Sequence, residues 1–118
     1  MKRSLIMLYI LAFPLPTLAA GNTPLATGLG MTSCDQFTKS IQSSPTMEDT
    51  YFEWAQGYMT GMNSMLGFTK APPKDLTAMT FSTQKNVIRD FCKSHPRMEY
   101  EAAVPAVYVL LPAIKMQQ

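Results

Sequence analysis

The segment YFEWAQGYMTGMNSMLG, residues 51–67, holds the side chains whose type and spacing come nearest to a chemistry. Met59, Met62 and Met65 offer three thioethers at steps of three, soft donors of the kind that hold copper(I). Three residues turn a helix through about 300°, so Met59 and Met65 stand about 120° apart around the axis. Two of the sulfurs can share an ion, and the third needs ligands from elsewhere. Met59 and Met62 also fall on an apolar stripe, where methionine fills irregular gaps. Core packing is the stronger expectation, and no metal or other cofactor is assigned.

Catalytic groups are sparse. The chain has one histidine, His95, directly before Pro96 at the end of a helix. A hydrolytic metal site lacks its second histidine, and a disulfide between Cys34 and Cys92 removes both thiol nucleophiles. The acid pairs Glu48/Asp49 and Glu99/Glu101 stand early in helices, where the helix dipole alone favours carboxylates. The expectation is a protein that is not an enzyme.

Gly57 and Gly61 lie one helical turn apart, and each weakens a helix by up to about 1 kcal/mol relative to alanine. Close approach of another group is the usual compensation. That group is either within the chain (another helix, or Trp54) or a partner, including a second copy in a homodimer. Gly57 stands near Trp54 on the helical wheel and is expected to pack internally, while Gly61 is expected to face a partner. Trp54, Gly57, Tyr58, Gly61 and Asn63 are the candidate partner-binding residues.

The elements that position these residues begin after residue 20. Lys2 and Arg3, an apolar run from Leu5 to Phe13, Pro14 and Pro16, and the small residues closing at Ala19-Ala20 have the layout of a secretory signal peptide. The run falls short of the roughly 20 residues a spanning helix needs. The expected location is the periplasm, with no membrane attachment once the segment is cut. Ten lysines and arginines against eight acids give the chain a net positive charge, and losing Lys2 and Arg3 leaves eight of each sign. A neutral domain lacks the clustered basic groups that bind nucleic acid or anionic lipid. About 98 residues remain, enough for one small domain. Its two cysteines, in an exported chain, are expected to pair.

Residues 21–31 carry Gly, Thr and Pro without periodicity and read as a flexible leader. Ser33 and Gln36 fit a capping box that opens a first helix running to about Gln42, with Ser43-Ser44-Pro45 as its stop. Thr46 is the N-cap of a second helix, whose stripe Phe52, Ala55, Met59, Met62 and Leu66 recurs at three and four residues before Gly67 ends it. A loop from Phe68 to Ala78 follows. The third helix starts near Thr80 or Ser82, buries Gln84, Val87, Ile88, Phe91 and Cys92, and stops at Ser94. The fourth segment, residues 96–115, aligns Tyr100, Val104, Val107, Leu111 and Ile114. Pro105 inside it predicts a kink or a fresh helix start. The fold class is all-α, a small bundle of about four helices with one disulfide.

Two resemblances attach to these residues. Trp54-Ala55-x-Gly57-Tyr58-x-x-Gly61, Ile88-x-x-Phe91-Cys92-x-x-His95-Pro96 and Tyr100-x-x-Ala103-Val104-x-x-Val107-Tyr108-x-x-Leu111 resemble the Tai-type immunity proteins. Those are small exported helical proteins that neutralise cell-wall amidase effectors of type VI secretion. Ser33-Cys34-Asp35-Gln36-Phe37 and Cys92-x-x-x-Pro96 resemble the two-cysteine frame of the HdeA/HdeB periplasmic acid-stress chaperones. Either resemblance implies a disulfide-bonded helical domain, often dimeric, that binds proteins. The first implies an effector enzyme as partner, the second an unfolded client.

Overall fold

The computed structural model describes residues 26–115; the expected signal peptide and the start of the leader lie outside them. Helix α1, Cys34–Ser43, opens where expected, with Ser33 Oγ accepting the backbone N–H of Gln36 at 3.1 Å. Its next orphan donors are satisfied from far along the chain. The N–H groups of Cys34 and Asp35 reach the carbonyls of Met98 and Pro96 at 2.7 and 2.9 Å. Helix α2 is Met47–Leu66 and helix α3 is Phe81–Ser94, the latter capped by Thr80 Oγ1 on the N–H of Thr83. Thr46 precedes α2 as expected, but its side chain makes no cap hydrogen bond. The acids Glu48 and Asp49 supply the favourable charge there instead.

The fourth segment is not one helix. A 3-10 turn at Tyr100–Ala103 leads into a five-residue helix α4, Val104–Tyr108, and Pro105 sits in its first turn. Proline lacks an N–H and fixes φ, which suits a helix start and nothing deeper. Beyond Tyr108 the chain leaves the helix and pairs with the loop before α3. Asp75 N–H donates to Pro112 O at 2.9 Å and Ile114 N–H to Pro73 O at 2.8 Å. Ile114 is exposed accordingly, whereas Tyr100, Val104, Val107 and Leu111 of the expected stripe are buried.

The core lies where α1, α2, α3 and the 100–111 segment converge. Cys34 and Cys92 are joined there, fastening α1 to α3. Phe37, Tyr51 and Tyr100 meet with ring centroids 4.8 to 5.0 Å apart, and burial, with Glu48 nearby, drives the Tyr100 phenol well above the usual tyrosine value. Gln84 is the one buried polar side chain among the described residues, and both its amide nitrogen and its oxygen are engaged. It donates to the carbonyls of Leu76 and Met79 and accepts from Gln56 Nε2, so the 76–79 loop is tied to both long helices.

Residues 28–31, part of the segment read as a flexible leader, belong to the fold. They form a 3-10 turn beside Trp54, with Gly30 buried. A Cβ on Gly30 would come within 2.2 Å of Trp54 Cζ2, so the indole lies directly on the glycine backbone. Trp54 Nε1 donates to Thr27 O at 3.1 Å, completing the contact. Composition alone does not expose this, because the partner is an indole 24 residues away.

Candidate functional site: an apolar groove between α2 and α4

Along one flank of α2 runs a groove of about 710 Å³ whose floor is Gly57 and Gly61. Tyr58, Met62, Met65 and Leu66 form its α2 wall, with Ser64 at the edge, and Tyr108 of α4 closes the far side. None of these side chains is charged. Their polar atoms are also turned to partners within the chain. Ser64 Oγ donates to Thr60 O at 3.0 Å and Tyr108 Oη to Asn63 Oδ1 at 2.6 Å. Burial, then a hydrogen bond to Glu101 and its charge, hold the Tyr58 phenol above its usual value, so it stays neutral. What the groove offers outward is hydrocarbon, sulfur and ring. Exposed apolar residues follow it in sequence, Phe68 just past α2 and Val109 and Leu110 directly after Tyr108.

Two features build the opening. The 3.6-residue period sets Phe52, Ala55 and Met59 into the core and leaves Gly57 and Gly61 on the outer side. A Cβ on either glycine would meet nothing within 4 Å. The expectation that Gly57 packs within the chain is therefore corrected. Trp54, its supposed neighbour, is drawn instead onto Gly30 and stacks on Tyr58 at 5.3 Å.

Asn63 is likewise occupied internally. Its Oδ1 accepts from Lys74 N–H at 2.9 Å as well as from Tyr108, and its Nδ2 donates to Lys74 O at 2.8 Å. It positions Tyr108 and the 72–75 loop, with its carbonyl oxygen and one amide hydrogen committed within the chain. Of the five residues singled out from the sequence, Gly57, Tyr58 and Gly61 line the groove; Trp54 and Asn63 support it from behind. The lining also takes in Met62 and Leu66, which pack against the core as their stripe predicts, and Met65 and Tyr108, which the candidate set omits. A usable signal exists for Tyr108: Val107–Leu111 is apolar at five consecutive positions, more than a single buried face can absorb.

The methionines are divided. Met59 is fully buried in the core, whereas Met62 and Met65 share the groove. Among the described residues there is no group of three or more His, Cys, Asp or Glu placed to hold a metal. The acid pair at the start of α2 is engaged across the α2–α3 seam, Glu48 with Arg89 and Asp49 with Lys85. His95 stacks on Phe91 at 4.3 Å, with Nδ1 2.9 Å from the Phe91 carbonyl. Among the described residues no helix is long and apolar enough to cross a membrane. No protein-family model, curated protein or solved structure matches the chain.

Proposed function

We propose that this chain is an exported protein-binding domain, an immunity-type inhibitor that seats an apolar element of a cell-wall amidase effector in the α2–α4 groove. The observation that carries the reading is the groove itself: uncharged, open over both glycines, and lined by the exposed Met65, with Phe68, Val109 and Leu110 exposed just beyond the lining residues in sequence. An uncharged apolar surface of this kind suits a protein partner better than a charged ligand. The resemblance in the Trp54–Gly61 and Tyr100–Leu111 motifs supplies the effector class.

The test is a cell-wall amidase encoded beside this chain's gene. The wild-type domain should bind and inhibit it. Gly57→Leu and Gly61→Leu should keep the fold, gaining up to about 1 kcal/mol from helix propensity, because open space surrounds both positions. The added side chains should occupy the groove and weaken inhibition by about tenfold or more. Full inhibition by both folded variants, or the lack of any such neighbouring amidase, removes the immunity reading.

A second reading, an acid-activated holdase, is favoured by the α2–α3 seam. Glu48–Arg89 is its better shielded ion pair; Asp49–Lys85 is more exposed on the acid side and contributes less. Strong acid gives a chain of this composition a net positive charge, and the self-repulsion acts against packing across that seam. Such a holdase should expand in acid and suppress aggregation of an acid-unfolded client, read by light scattering. A domain that stays compact and leaves client aggregation unchanged is not one.

A further inference from the structure

We infer that Met65 is an oxidant-sensitive switch for the groove, an inference that rests on the protein-binding reading of that site. Three observations converge on it. Met65 is 66% exposed while Met59, six residues earlier on the same helix, is 0% exposed, so one sulfur meets solvent oxidant and the other does not. Met65 lines the groove together with Met62, so the exposed sulfur belongs to the surface a partner would cover. The remaining lining offers no charge, and the Ser64 and Tyr108 hydroxyls donate to Thr60 O and Asn63 Oδ1, so neither is free to donate to a new polar group.

The reaction is a two-electron oxygen transfer from a peroxide. The O–O bond breaks, one oxygen bonds to Sδ, and the other leaves as water; the thioether is oxidised to a sulfoxide and the peroxide is reduced. The product replaces a flexible apolar side chain with a polar, chiral one. A sulfoxide in this groove is desolvated without a hydrogen-bond donor when an apolar partner seats, which opposes binding. A thiol-dependent sulfoxide reductase reverses the step: two thiols are oxidised to a disulfide, the S–O bond breaks, and the oxygen leaves as water.

The experiment uses the full exported chain, hydrogen peroxide, and anilinonaphthalene sulfonate as a fluorescent probe of exposed apolar surface. Peptide mass mapping over time should find Met65 oxidised early, along with the 44% exposed Met98 beyond α3, and Met59 last. Probe affinity should fall by about tenfold as Met65 converts. Met65→Leu should keep its affinity through the same treatment, and Met98→Leu should lose it as wild type does. Oxidation of Met65 no faster than Met59, or an affinity loss that persists in Met65→Leu, overturns the switch. Gly61→Leu separates the two levels of the argument. If it leaves probe binding to the reduced protein unchanged, or if reduced wild type binds no probe, the groove reading falls and the switch with it.

Discussion

Glycine is used in opposite ways at two places in this chain. Gly57 and Gly61 stand out in the sequence, but a side chain at either would enter open space. Gly30 sits in an unremarkable Gly- and Thr-rich stretch, yet its missing Cβ is filled by the Trp54 ring. That ring is hydrogen-bonded to Thr27, stacked on Tyr58 and edge-on to Tyr100, so it has little freedom to retreat. Gly30→Ala should therefore lower stability by about 1 to 3 kcal/mol, the usual penalty for overpacking. Urea denaturation followed by the emission of Trp54, the chain's single tryptophan, measures both the loss and the altered indole environment. An unchanged midpoint and emission maximum would show that the ring yields freely. Spacing exposes glycines inside a helical pattern; only coordinates expose one that fits beneath a distant indole.

At the scale of elements, α1, α2 and α3 were legible because each carries its own signals. Ser33 caps as expected, the structure takes Thr80 of the two expected starts as the cap of α3, and Gln84, Ile88 and Cys92 are buried on the face that the periodicity of α3 selects. Gln84 is instructive. Its place on an apolar stripe announced burial, but its reason, a side-chain amide satisfying two loop carbonyls and Gln56, needed the loop's path. The fourth segment was half legible. Pro105 restricted it to a kink or a fresh start, and the structure has the start, with Pro105 in the opening turn of α4. Its later half is held by hydrogen bonds to the 73–75 loop, which no local propensity encodes. Residues 28–31 of the expected leader depart from it for the same reason, since their 3-10 turn is held against Trp54 of α2 and not by a local pattern.

For the whole molecule, the Cys34–Cys92 bond closes a separation of 58 residues and sits fully inside the core. The chain-entropy estimate for a loop of that length is about 4 kcal/mol. At roughly 4 to 8 °C per kcal/mol for a domain of this size, the reduced protein should melt about 15 to 30 °C lower. Calorimetry of the oxidised protein and of Cys34→Ala/Cys92→Ala would check this, with circular dichroism to follow residual helix. An unmoved melt would mean that packing of α1 on α3 needs no covalent fastening. Free thiols in protein taken from an oxidising compartment would contradict the bond itself.

The sequence by itself determined the helical class, the approximate extent of three helices, the pairing of the cysteines and the apolar stripes of those three helices, because capping and periodicity act over a few residues and two cysteines admit one pairing. It also marked Gly57, Tyr58 and Gly61 as residues needing an explanation. Only the tertiary structure decided that these three share an open groove with Tyr108, that Trp54 and Asn63 brace it from within, and that Met62 and Met65 part from Met59. A groove is the space left between elements. It depends on where α4 comes to rest against α2, and that follows from long-range contacts such as Asn63 with Tyr108, 45 residues apart, which no local pattern contains.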